Sequence, residues 1–394
     1  MQDAGPDLTG TRVASVYMDH NATSPVRPEI REAMAPYVDP GLGNASSLHR
    51  CGRSARAGIE RARDCVAQAL GCSPAEVFFT SGGTEACNWA LKGVLLTAHR
   101  QHRRIVTTAI EHYAVLRVCT YLEAHGVEVV RVPADSSGCV DPDAVASAVN
   151  ERTTLISVMH ANNETGCLQP IAAIGELAWR RGVPLHVDAV QTFGKEPVHV
   201  EDLNADLLSI SAHKANGPKG VGALYVRRGM IVDPLLHGGG QESGMRAGTE
   251  NVAAIVGFGR AAALMRAGGH GWPEPLRLLR DRLESGICSR IPDVQVNGRS
   301  QARLANTVNL SFTGVSSEVL VRALDEHGIA VSSGSACAAG ESEPSHVLLG
   351  MGLDRARAQS AVRFSLGWGS TQADVTRVLE VLPGLVHRLR ERTR

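Results

Sequence analysis

The chain has 394 residues, 43% of them hydrophobic, and its 40 lysines and arginines balance 40 aspartates and glutamates. That length suits two domains rather than one, with enough apolar content for a large core. A formal charge of zero leaves no global basic field to attract nucleic acid or an anionic membrane, and no run of about 18 apolar residues is present to span one.

Met1 to Gly10 has neither the basic nor the apolar stretch of a secretion signal, and residues 1–15 are expected to form a poorly ordered tail. The nine cysteines are scattered, with no C-x-x-C pair and no zinc-like cluster. They read as reduced thiols of a cytoplasmic protein with no metal site. From residue 76 apolar runs alternate with amphipathic segments. Strands are predicted over 76–80, 104–110, 127–132, 154–159, 183–188 and 207–211, and helices over 84–97, 113–125 and 171–181. This alternation predicts an α/β fold with a mainly parallel central sheet flanked by helices. After about residue 262 the texture changes. Helices are predicted over 275–287, 317–328 and 372–392, and alternating strands, open on one face, over 294–296, 306–312 and 361–365. The expected organisation is a large domain over 16–262 and a smaller α+β domain over 263–394. The first residues, up to about 25, are able to join the smaller one.

Several strand ends carry chemistry. Ser211-Ala212-His213-Lys214 closes one apolar strand and precedes a glycine-rich stretch. An amine there, beside a hydroxyl and an imidazole, suits Schiff-base formation. The strand before it ends in Asp188, with Gln191 close behind, and supplies a carboxylate for a pyridinium nitrogen. An amine for an aldehyde and an acid for a ring nitrogen are together what pyridoxal phosphate asks of a protein. Thr80-Ser81-Gly82-Gly83-Thr84-Glu85 sits between strand and helix, where backbone N–H groups and a helix N-terminus receive an anion. It fits neither common nucleotide-binding glycine pattern. Glu111-His112 and the loop His160 to Gly166, with Asn163, lie at the carboxyl edge of the sheet, where ligands bind. Taken singly, each has a plainer reading: a capped turn, a loop histidine, a strand-end aspartate, a surface lysine. Three glycines, Gly238 to Gly240, point to a close backbone approach to a ligand or a second subunit. Cys337 lies among small residues ahead of a polar loop, a setting for an accessible, reactive thiol. Arg363 is a candidate clamp for a carboxylate.

These motifs in this order resemble the cysteine desulfurases, the NifS/IscS-like members of the class V aminotransferase superfamily. The resemblance runs from Tyr17-Met-Asp-His-Asn-Ala-Thr-Ser24 to about Gly367 and includes Ser-Gly-Gly-Thr-Glu, Asn-Asn-Glu-Thr-Gly, His-Val-Asp-Ala-Val-Gln, Ser-Ala-His-Lys and Ser-Gly-Ser-Ala-Cys. It implies a fold-type I enzyme, a homodimer with a large pyridoxal-phosphate-binding domain. By the same resemblance Lys214 is the Schiff-base lysine, Asp188 pairs with the pyridine nitrogen and Gln191 bonds the ring hydroxyl. Gly83, Thr84, Ser211 and His213 hold the phosphate, helped by Thr249 of the other subunit. His112 stacks on the ring and moves protons. Asn163 meets the cofactor or the substrate carboxylate, Arg363 anchors that carboxylate, and Asn44 lies near the substrate. Cys337 receives sulfur from L-cysteine and passes it to an acceptor protein, for iron–sulfur cluster assembly, tRNA thiolation or DNA phosphorothioation. The segment 332–345 matches the first subgroup, in which the cysteine rides a mobile loop. Ser243 and Ala215-Asn216 depart from the usual pattern. An aminotransferase, a selenocysteine lyase and a weakly active sulfur-transfer scaffold are the rival readings.

Overall fold

The computed structural model describes residues 15–41, 43–98, 103–267, 273–299, 302–333 and 343–393. Cys337 and all but the last residue of the expected N-terminal tail therefore lie outside the described residues. β1 (Val16–Tyr17) is followed by α1 (Pro28–Met34) and the long α2 (Arg50–Leu70). The His49 side chain caps α2, and Gly71 ends it in the left-handed conformation (φ 70°). Ile59, Ala62, Val66 and Leu70 recur at helical spacing and make its buried stripe. Strands and helices then alternate: β2 (Val77–Thr80), α3 (Gly83–Thr97), β3 (Arg104–Thr108), α4 (Tyr113–Glu123), β4 (Glu128–Val132), α5 (Pro142–Ala148), β5 (Thr153–Met159), α6 (Ile171–Arg181), β6 (Leu185–Asp188), β7 (Leu207–Ser211) and β8 (Gly222–Val226). The rest comprises α7 (Val252–Ala267), α8 (Pro273–Arg290), β9 (Val294–Asn297), β10 (Thr307–Phe312), α9 (Ser317–Asp325), β11 (Ile329–Ala330), α10 (His346–Gly350), α11 (Arg355–Gln359), β12 (Ala361–Ser365) and α12 (Gln372–Thr393).

The large sheet has seven strands in the order β2-β8-β7-β6-β5-β3-β4. Only β8 runs antiparallel to its neighbours, so the sheet is mainly parallel as expected. Its central strands β6, β7 and β8 are buried at every residue, because helices cover both faces. One face packs Ile156, Val158, Val187 and Leu208 against α2 and α6; the other packs Leu155 and Leu207 against Trp89 and Leu91 of α3. α7 lies on α2 so closely that a Cβ on Gly259 would stand 2.4 Å from Ala62 Cα.

A second, antiparallel sheet has the order β12-β10-β9, and β1 pairs with β11 beside it. Leu283 of α8 and Val378 and Leu382 of α12 pack with Leu310, Phe312 and Phe364 of this sheet. The prediction that these strands leave one face open to solvent is wrong for β10 and β12, which are buried throughout. Their polar residues face protein instead. Asn309 Nδ2 donates to Glu164 O (3.3 Å), and Ser365 Oγ accepts from Asn21 N (2.9 Å). Alternation marked two different surroundings, apolar helices and a polar interface, rather than core and water. Among the described residues no helix is long and apolar enough to cross a membrane.

β2 is an edge strand, and its unpaired side is closed by a buried ion pair. Arg63 of α2 makes two bonds to Glu242 (2.7 and 2.8 Å) and a third to Val77 O (2.7 Å). Glu242 also accepts from Phe79 N (2.8 Å), so guanidinium and carboxylate take the place of a further strand. Glu242 holds φ 47° to do so, a region that costs a residue with a side chain. Removing it leaves the buried Arg63 with only the exposed Glu60 (3.0 Å) as an ionic partner. Glu242→Ala is expected to lower the unfolding free energy by about 3–5 kcal/mol, read from denaturant melts.

Candidate active site

β5, β6 and β7 end side by side, and their carboxyl edge opens into a cavity of ≈ 350 Å³. Ten of the residues singled out in the sequence line it: Gly83, Thr84, His112, Asn163, Asp188, Gln191, Ser211, His213, Lys214 and Arg363. Asn44 and Thr249 do not; both are exposed, and Asn44 spends its side-chain oxygen on Ser46 N (2.8 Å).

Asp188 ends β6 and is 6% exposed. It accepts from Val190 N (3.0 Å), and Cys87 Sγ stands 3.7 Å from its other oxygen. Burial raises its pKa, while His112 and Lys214 pull it down. A buried carboxylate of this kind calls for a positive hydrogen-bond donor. His112 lies at the start of α4, where its Nδ1 accepts from Ala114 N (3.0 Å). That cap fixes the tautomer, placing the ring proton of the neutral form on Nε2. Burial favours the neutral ring and lowers its pKa, with Asp188 opposing. Lys214 follows β7 in a short 3₁₀ turn, and its amine donates to Ala22 O (2.7 Å) and to Asn21 O. Arg363, on β12, donates through Nη2 to Asp19 (2.7 Å) and through Nη1 to Asn163 O (3.0 Å). Its buried Nε finds no hydrogen-bond partner among the described residues.

At the other side of the cavity α3 begins, with N-cap Gly82 at φ 156°. A Cβ on Gly83 would stand 2.6 Å from Val190 Cγ2, so glycine is needed for the helix to start this close to β6. Ser211 and His213 face this end from β7. Burial and three nearby lysines push the His213 imidazole down to about 4, which keeps it neutral. The unusual Ala215-Asn216 pair has a structural role. Asn216 sits at φ 59°, which asparagine tolerates, and its N–H donates to Ser24 Oγ (2.8 Å).

Residues 16–378 match the family described as Aminotransferase class-V. The cysteine desulfurase IscS of Methanosarcina thermophila is 47% identical over 380 residues, 96% of this chain and 94% of its own. A solved NifS-like protein superposes with a TM-score of 0.89 at 39% identity, covering 95% of this chain and 100% of that one. A structure described as SspA in complex with cysteine has a TM-score of 0.80 at 36% identity, over 89% and 99% of the two chains. The chain belongs to the class V aminotransferases, among the cysteine desulfurases. The cofactor of this family is pyridoxal phosphate, and the cavity fits it. A buried carboxylate awaits a pyridinium N–H, an amine lies at the edge of the same strand layer, and a helix N-terminus with a crowded glycine makes room for an anion.

Sequence reasoning gave three residues of this desulfurase site no role of their own, although Asn21 and Glu111 lie in motifs it quoted. Cys87 is buried on α3 and touches Asp188. Asn21 lies in the motif Asp19 to Ser24, and its bonds run to both sheets. Glu111 precedes His112. It is fully buried, accepts from Thr108 Oγ1 (2.7 Å) and Met159 N (3.0 Å), and leaves Oε2 unbonded among the described residues. Burial raises it from 4.5 to about 8. A carboxyl raised on folding binds its proton more tightly in the folded state. Its stabilising contribution is complete below the unfolded value and is lost as pH climbs through the folded one. Between pH 5 and 8 Glu111→Gln is therefore expected to gain stability relative to the parent, by up to about 1.4 kcal/mol per pH unit in denaturant melts.

Proposed function

We propose that this chain is a cytoplasmic, homodimeric cysteine desulfurase that converts L-cysteine to L-alanine and leaves the sulfur as a persulfide on Cys337. The observation that carries the reading is the convergence of the Lys214 amine, the buried Asp188 and the Arg363 guanidinium on one cavity. Pyridoxal phosphate bound there supplies an electron sink for charge developing on the substrate Cα. Asp188 would hold the ring nitrogen, Gln191 the ring hydroxyl, and His112 the ring face. Gly83, Thr84, Ser211 and His213 would hold the phosphate, with Thr249 of a second copy completing the cradle. Arg363 takes the substrate carboxylate with Asn163 beside it; Asp19 and Asn163 O each accept a bond from its guanidinium and hold it in place. Asn44 is assigned to the substrate side.

Lys214 Nζ takes the Cα proton and returns one to the product. The Cys337 thiolate attacks the substrate sulfur: an S–S bond forms, the Cβ–S bond breaks, and its electron pair stays on the carbon fragment. Cysteine plus thiol gives alanine plus persulfide, with no external oxidant. The persulfide then passes to an acceptor protein of iron–sulfur cluster assembly, tRNA thiolation or DNA phosphorothioation.

Lys214→Ala should lose the visible absorption of the lysine-bound cofactor and lower the turnover of cysteine by about 100-fold or more. Cys337→Ser should keep that absorption and lose the persulfide, detected by mass spectrometry after cysteine treatment. Undiminished sulfide release by Cys337→Ser would remove the role given to the thiol. Formation of 3-mercaptopyruvate in place of alanine, with the amino group passed to an added 2-oxo acid, would make the chain an aminotransferase.

A further inference from the structure

Gln191 carries a carboxamide whose two ends differ chemically, and its neighbours leave it one orientation. Lys195, four residues further on, donates from Nζ to Gln191 Oε1 (2.8 Å). Gln191 Nε2 in turn donates to Asn21 O (3.0 Å). Flipping the amide would set N–H against N–H at one end and oxygen against a carbonyl at the other. One donor and one acceptor therefore decide which way it points.

Lys195 is itself held. Its Nζ also donates to Asn21 Oδ1 (3.1 Å). That oxygen accepts a second bond from Asn306 Nδ2 (3.1 Å), while Asn21 Nδ2 donates to Thr307 Oγ1 (2.8 Å) and Asn163 O (3.2 Å). The Asn21 amide is thus fixed from the small sheet, and it passes that orientation to Lys195 and Gln191. The charged and titratable groups around the Lys195 amine are Lys214, Arg363, Glu196, His20 and His213.

We infer that Lys195 is a positioning residue, which turns the Gln191 amide so that its remaining N–H faces the cavity and can serve only an acceptor oxygen there. In the cofactor reading above, on which this rests, that acceptor is the ring hydroxyl oxygen in its anionic form. Lys195 does not touch the ring; it acts through Gln191.

An N–H donated to that oxygen stabilises the deprotonated chromophore, so losing it raises the pH at which the visible absorption titrates. Lys195→Met should raise that pKa by about half a unit or more, and Gln191→Ala should raise it too. Adding Lys195→Met to Gln191→Ala should then change nothing further, because the group it orients is gone. Lys195→Arg, which keeps N–H donors at this position, should titrate near the parent even if the methionine variant folds poorly; melting of the cofactor-free proteins checks folding separately. An unchanged titration in Lys195→Met, or an equal shift in the Gln191→Ala background, would assign Lys195 to packing alone. Absence of any visible chromophore in the parent protein would overturn the cofactor reading itself, and with it the role of Lys195.

Discussion

The Lys214 amine rests on two backbone carbonyls, those of Asn21 and Ala22. A carbonyl accepts from an amine whether or not the amine is charged, so this contact sets position without dictating protonation. It also moves the burden elsewhere: the segment from Asp19 to Ser24 must stay where it is. Both sheets hold it there. His20 N donates to Ser365 O (3.1 Å) and Asn21 N to Ser365 Oγ (2.9 Å) on the small sheet, while Ser24 N and Oγ donate to His213 O (2.9 and 2.6 Å). The lysine grows from the large sheet but is aimed by a strip of chain clamped to the small one. Neither sheet alone makes the site.

Burial then decides which side chains around that lysine carry charge. His186 is fully buried on β6 between Ser157 and Ser209 (2.8 and 2.9 Å), and burial depresses it to about 3. It is a neutral tie across β5, β6 and β7 rather than a proton carrier. Glu111, pushed up to about 8, is held as a neutral acid close to Asp188. Two carboxylates in one dry region would compete for a single positive ring, and the unbalanced one would be costly to keep. Neutralising Glu111 leaves Asp188 as the anion at the end of β6.

How much of this was legible in the sequence depended on whether the signal was local. Strand ends were legible: Ile171–Arg181 and Leu207–Ser211 fall where periodicity places them, and the candidate residues at 112, 163, 188 and 214 reach one cavity because parallel strands end together. The strand predicted over 104–110 stops at Thr108, since the chain turns there to deliver Glu111 and His112. β10 and β12 were misread because a polar residue facing another layer of protein looks like one facing water. Lys195 and Asn21 were missed for a different reason. The bond between them spans 174 residues, and those from Asn21 to Asn306 and Thr307 span more than 280, and no spacing rule connects such partners.

Arg363 shows how the two chemistries are joined. Its side chain faces the cavity, held by Asp19 and Asn163. Its backbone pairs with Ser332 (2.7 and 3.2 Å), which precedes Cys337 by five positions in the sequence. On the other side of Cys337 in the sequence, Ser345 donates to the buried Glu164 (2.5 Å), and His346 Nε2 bonds Glu111 O (2.8 Å). Glu164 and Glu111 belong to the loops that carry Asn163 and His112. The stretch that bears Cys337 is therefore bounded by Ser332, paired with Arg363, on one side and by Ser345 and His346, tied to the loops that carry Asn163 and His112, on the other. Lys214 and Arg363, about 150 positions apart in the sequence, are thus tied to one strip of chain, Lys214 through the Asn21 and Ala22 carbonyls and Arg363 through Asp19.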